Sequence, residues 1–199
     1  MKKKITALLV ILAIMAAVPL IFNVNSLSES LKSRENMSKN EIITSAAAYH
    51  FRKHYSKNTL KAIIIILNTN YKANKLNKKE FLSKEEFIKK YKKGESYYSE
   101  IENLAKENGD NYITYKGKPV HIPYFKLSKG FTEKDKKYPY LKGCACPWDK
   151  FKKDFKNSEN TVGISINSLN KLCRKGLSCE NALKHFLNPK SSIINNNTE

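Results

Sequence analysis

The chain has 199 residues, 41% of them hydrophobic, enough for one folded domain with an appendage and too apolar for a wholly disordered chain. Lysine and arginine total 37 against 18 acids, a formal charge of +19, and Arg34, Arg52 and Arg174 are the only arginines. Arginine carries most bidentate recognition of guanine and phosphate, so a charge built on lysine argues against specific nucleic-acid recognition; non-specific attraction to polyanions and a plain AT-rich coding bias both fit it.

Three lysines follow Met1, and Ile5 to Phe22 then runs for eighteen residues without a charge. Crossing the hydrocarbon takes about 20 apolar residues, whereas the apolar part of a cleavable signal is roughly 7 to 15, so the length predicts a retained membrane helix. Ala13, Ala16 and Ala17 leave cleavage open. Lysines on the near side hold the N-terminus in the cytoplasm and place the rest outside it. Residues 1–22 are thus expected as an anchor contacting the membrane through residues 5–22, 23–39 as a polar tether, 40–190 as a single extracytoplasmic domain and 191–199 as a disordered tail.

Within the domain, apolar residues cluster at Ile42 to Ala48 and at Leu60 to Leu67, with the basic aromatic stretch YHFRKHY between them. The run Ile63 to Ile66 is β-branched, yet the spacing of Leu60, Ile63, Ile64, Leu67 and Tyr71 predicts a helix from Lys57 to Tyr71. Ser83 with Glu86 is a capping-box pattern opening a short helix with Phe87, Ile88 and Tyr91 on one face, and a further helix from Tyr97 to Lys106 should stop at Gly109. Tyr112 to Tyr115 and Val120 to Phe125, joined through Lys116, Gly117 and Lys118, read as a hairpin. Ser165 precedes a helical pattern that Gly176 stops, and Ser178 opens a last helix. The expected class is α+β, helices around a small hairpin sheet.

The four cysteines, Cys144, Cys146, Cys173 and Cys179, leave three readings open: core packing, one or more disulfides among three pairings, and a zinc set whose C-x-C spacing is not the usual knuckle. No metal or other cofactor is expected on this basis.

Four segments in order resemble the extracytoplasmic domain of the stage II sporulation protein D family, which includes the amidase-enhancer proteins. TLKAIIIILNTNY (Thr59 to Tyr71) is similar to that family's A-L-K-A-Q-A-V-A-A-R-T-Y helix, and YKGKPVHIPYFKLSKGFT (Tyr115 to Thr132) to its Y-x-G-K-P-I strand followed by F-H-S-x-S-G-G-x-T. YPYLKGCACPWD (Tyr138 to Asp149) resembles P-Y-L-x-x-V-x-S-P-W-D, and Val162 to Phe186 resembles V-G-M-S-Q-Y-G-A with the helix pair that follows it. The resemblance implies a sporulation-linked protein acting on peptidoglycan glycan strands, with wall amidases as partners and lytic transglycosylase chemistry as the family activity.

That chemistry needs a carboxylic acid to protonate the leaving glycosidic oxygen. In the family it is a Glu nine residues before the A-L-K-A motif, and the same count back from Thr59 reaches His50. The family's Gln and Arg in the helix are Ile63 and Asn68 here, and its His-Ser pair after the strand is Phe125 and Lys126. The resemblance therefore implies a catalytically degenerate member with no catalytic residue. Glycan contacts are expected from His50, Thr69, Tyr124, Ser128, Gly130, Thr132 and Ser165, and Asp149 matches an acidic position that braces a loop. An active transglycosylase and a non-specific polyanion binder are the alternative functions.

Overall fold

The computed structural model describes residues 37–77, 79–151 and 161–195. The expected anchor and nearly all of the tether lie outside them; no helix among the described residues is long and apolar enough to cross a membrane. The residues from Asn40 onward form one unit of mixed helices and small sheets, an α+β arrangement.

Helix α1 (Lys39–His50) buries Ile43 to Ala48, and helix α2 (Lys57–Lys72) lies at the centre of the unit with its whole middle, Ala62 to Asn70, buried. A helix apolar on every side is stable only when enclosed, and α2 meets that condition by packing against helix α4 (Gly94–Glu107), strand β1 (Tyr112–Tyr115), helix α5 (Ile166–Arg174) and helix α6 (Cys179–Lys184). Enclosure also explains why four consecutive isoleucines stay helical, since packing outweighs a propensity difference of a few tenths of a kcal/mol per residue. Ser56 caps the helix by accepting from the Thr59 N–H. Helix α3 (Lys84–Lys90) begins with the reciprocal Ser83–Glu86 box and buries Phe87 in a cluster of rings with Phe51, Tyr91 and Tyr98.

The first hairpin is shorter than the sequence pattern indicates. Strand β1 pairs with strand β2 (Lys118–Pro119) across a two-residue turn in which Lys116 and Gly117 both have positive φ, 52° and 76°. That turn matches the right-handed twist of paired strands, and Pro119, which has no N–H, ends the ladder. Tyr124–Phe125 (β3) then leaves the hairpin and runs parallel to Ile164–Ser165 (β6), while Phe131–Thr132 (β4) pairs with Cys144–Ala145 (β5). At the start of the expected tail, Ser191–Ile194 instead forms strand β7, antiparallel to β1 from Tyr112↔Ile194 to Tyr115↔Ser191, and 196–199 lie outside the described residues. Ile113, fully buried, and Ile193 give that pairing an apolar side to cover.

Two polar side chains on α2 fasten the sheet region to the central helix. Thr69 Oγ1 donates to Ile65 O at 2.6 Å and accepts from Ile113 N at 2.9 Å. Asn70 accepts from Ile122 N at 2.7 Å through Oδ1 and donates to Ile122 O at 2.9 Å through Nδ2, pairing with the backbone as a neighbouring strand would. Asn70→Leu leaves both Ile122 backbone groups buried and unpaired, and at about 1–3 kcal/mol for each unpaired group the variant should lose about 2–6 kcal/mol in urea unfolding. A loss under 0.5 kcal/mol would show that the bond pair does not hold this segment.

Candidate functional site

The sequence-derived candidates separate into four places. Thr69 lies between α2 and β1, with its hydroxyl occupied as described. Ser128 and Ser165, both fully buried, belong to a network around Asp149, itself fully buried on the short 3₁₀ turn Pro147–Phe151. Asp149 Oδ2 accepts from Ser128 N (2.7 Å), Ser128 Oγ (2.6 Å) and Ser165 Oγ (2.6 Å), and Oδ1 accepts from Asn167 Nδ2 (2.7 Å) and Ser168 Oγ (2.9 Å). Gly130, at φ 90°, donates its N–H to Ser128 Oγ at 3.1 Å and receives Cys146 N on its carbonyl at 2.8 Å. The S-x-G pattern and Ser165 therefore serve an internal brace that joins the segment after β3, the 3₁₀ turn and the start of α5. Their hydroxyls point inward, so contact with a glycan strand is not a role this geometry gives them. Thr132, also buried, accepts from Cys144 N at 3.1 Å within the β4–β5 pair.

The remaining two candidates meet. His50, at the end of α1, and Tyr124, on β3, come within 2.9 Å of one another (Nε2 to OH) and converge on Glu80. Tyr124 OH donates to Glu80 Oε2 at 3.0 Å, and His50 Nε2 is 3.1 Å from the same oxygen. With the phenol proton directed at the carboxylate, the phenol oxygen can only accept from His50, so Nε2 carries the proton and faces both oxygens. Burial pulls the His50 pKa below its usual 6.5, with Arg52 adding to the shift against the opposing pull of Glu80, and the ring is neutral at pH 7. Burial, reinforced by the Glu80 carboxylate, raises the Tyr124 phenol far above its ordinary value. Tyr49, 40% exposed, lies edge-on to the His50 ring at the outer side of the cluster.

Glu80 is the residue that sequence reasoning missed. It sits in the connection from α2 to α3, where an Asn77 turn (Lys79 N to Oδ1, 3.1 Å; Glu80 N to Asn77 O, 3.1 Å) fixes its backbone. Leu82 N donates to Ser45 O at 3.1 Å and ties that connection to α1. The only signal in the sequence is that Glu80 is the sole acid between Tyr71 and Ser83; thirty positions separate it from His50, and no local motif links them. His50 itself is a half-buried helix end with two partners.

Two open hollows of the surface lie elsewhere, one along α4 between Lys57 and Glu107 and one where α3 meets α4, and neither shares a residue with this cluster. Among the described residues no group of three His, Cys, Asp or Glu is placed to hold a metal ion. Neither a protein-family model nor a curated protein matches the chain.

The cluster can offer a sugar a carboxylate acceptor, a neutral imidazole and two tyrosine rings within one patch. It offers no evident proton source at neutral pH: the imidazole is neutral, the phenol is held protonated, and Glu80 Oε2 is engaged as an acceptor.

Proposed function

We propose that the chain is a divergent, membrane-anchored relative of the stage II sporulation protein D family that binds peptidoglycan glycan strands without cleaving them, in company with wall amidases or other sporulation proteins. The observation that carries this reading is the His50–Glu80–Tyr124 cluster. The position where the family pattern has its acid is a neutral histidine, and the one carboxylate that reaches it accepts hydrogen bonds instead of donating a proton. The preserved motif positions around Asp149 support the scaffold, and the polar and aromatic side chains at His50 support contact with sugar hydroxyls and ring faces.

Co-sedimentation of the full chain, in mild detergent, with purified sacculi stripped of teichoic acid tests this. The protein should pellet at 0.15 M and at 1 M salt, and Glu80→Gln combined with Tyr49→Ala should weaken binding about tenfold or more. Lysine-driven attraction makes the opposite prediction, because screening shortens to about 3 Å at 1 M salt. Pelleting only with teichoic acid present, lost at 1 M salt and unaffected by the Glu80 and Tyr49 changes, would replace glycan binding with polyanion binding.

A further inference from the structure

Cys144 and Cys146 stand two positions apart at the end of the β4–β5 pair, in a different part of the unit from the His50 cluster. Alternation along an extended chain sends residues two apart to the same side. Cys146 is fully buried and Cys144 is partly buried. Thr132 Oγ1 lies 3.2 Å from Cys144 Sγ, and Cys146 Sγ approaches Cys144 O at 3.9 Å. Lys142 N donates to Phe186 O at 2.9 Å and Leu141 bridges to Leu187, which brings His185, just beyond the end of α6, to the segment that carries Cys144; its Nε2 is buried with no hydrogen-bond partner among the described residues. An outer thiol, an inner thiol behind it and a histidine at the outer one are the parts of an exchange centre, as opposed to a packing site.

We propose that Cys144 and Cys146 form a dithiol–disulfide exchange centre, with Cys144 the attacking sulfur, Cys146 the resolving sulfur and His185 the proton donor to the leaving sulfur. Its substrates are accessible disulfides of small molecules or flexible peptide segments. The Cys144 thiolate attacks one sulfur of R–S–S–R′, the S–S bond breaks, and R′S⁻ leaves and takes the imidazolium proton of His185. Cys146 then attacks Cys144 Sγ, the mixed disulfide breaks, and the Cys146 proton ends on the departing RS. One disulfide is reduced to RSH and R′SH and one protein dithiol is oxidised to the 144–146 bridge; the same steps in reverse oxidise a dithiol. The bridge closes a loop of only three residues, so it constrains the unfolded chain little, which sets it apart from a stabilising cross-link.

The electrostatics agree with these roles. The Cys144 thiol is lowered to about 5, chiefly by its contact with Cys146 and then by His185 and Thr132, against the effect of burial. Cys146 is displaced upward by the same contact and by burial, and His185 is raised by Cys144, with Lys142 opposing. A stabilised thiolate favours the reduced pair and makes the bridge a good oxidant. Cys173 and Cys179, both buried and both raised by burial, lack such a setting.

Alkylation of the reduced full chain by iodoacetamide, read peptide by peptide across pH 4 to 9, needs no variant. The Cys144 rate should reach half its maximum well below the ordinary thiol value of about 8.5, and His185→Gln should move that midpoint upward by at least about one pH unit. With excess oxidised glutathione, the wild-type chain should form the 144–146 bridge, and Cys146→Ser should instead retain one glutathione on Cys144. A Cys144 midpoint above pH 8, or oxidation that yields no 144–146 bridge and leaves Cys144 unmodified, would overturn the proposal. A stable glutathione adduct on Cys144 of the wild-type chain would remove Cys146 from the resolving role and overturn it equally.

Discussion

Replacing Asp149 by alanine should remove about 3–5 kcal/mol of folding stability, a large share of the roughly 5–15 kcal/mol that holds a domain together. The carboxylate is fully buried and receives five donors from two other stretches of chain, and among the described residues no cationic side chain is a hydrogen-bonding partner. Hydrogen bonds to a charged group are each worth about 1.5–3 kcal/mol, and deleting the acceptor strands buried hydroxyl, amide and backbone donors that water reaches poorly. Asp149→Asn keeps the shape but turns one acceptor into a donor facing other donors, so a loss of at least about 2 kcal/mol is expected. Ser128→Ala and Ser165→Ala each remove one hydroxyl that donates to the carboxylate, and each should cost about 1.5–3 kcal/mol. Urea titration of the full chain followed by tryptophan fluorescence reads these differences, because Trp148 adjoins Asp149. A change under 1 kcal/mol for Asp149→Ala would mean that the three stretches are held together by packing alone.

Incubation of the wild-type chain with purified glycan strands should release no anhydro-muropeptides above background. Loss of a general acid costs about 10²-fold to 10⁴-fold from proton transfer alone, and His50, neutral through burial, does not supply that proton at pH 7. The converse substitution is informative because Glu80 is present. His50→Glu places a second carboxyl where Nε2 now stands 3.1 Å from Glu80 Oε2, and like charges that close favour a proton shared by the pair. A proton donor alone is expected to be insufficient: Phe125 and Lys126 still replace the pattern's His-Ser pair after the strand. Mass spectrometry of the soluble fraction decides between these expectations. Wild-type release abolished by Glu80→Gln would make Glu80 a relocated acid and end the degenerate reading. Release by His50→Glu alone would show that the rest of the site is competent and that a single replacement silenced it.

Much of the local structure was legible in the chain. The α2 helix was readable through its 3.6-residue spacing despite four isoleucines in a row, and Ser83, Ser165 and Ser178 mark helix starts because a hydroxyl three residues before a free N–H is a local device. The turn at Lys116–Gly117 was readable for the same reason. What the spacing could not show was which strand pairs with which. Val120 to Phe125 carries a strand composition, yet only Tyr124 and Phe125 pair, and they pair with Ile164 and Ser165, about forty residues away. Ser191 to Ile194 follows a polar connection and looks like the start of a tail until β1 offers it an unpaired edge.

The sequence by itself determined the class, the capped helices and the lysine-borne charge. The tertiary structure decided the chemistry of the candidate sites. Caps, turns and amphipathic faces are written within a few residues, whereas a hydrogen bond between Glu80, His50 and Tyr124, or a histidine beside Cys144, joins side chains separated by 30 to 74 positions in one case and by 41 in the other. Such encounters depend on how α1, the α2–α3 connection and β3 pack, a property of the whole core. The same dependence sends Ser128 and Ser165 inward to Asp149, although their types and spacing look equally suited to a ligand. Spacing identifies a polar side chain, and only burial tells whether its partner is the protein or something outside it.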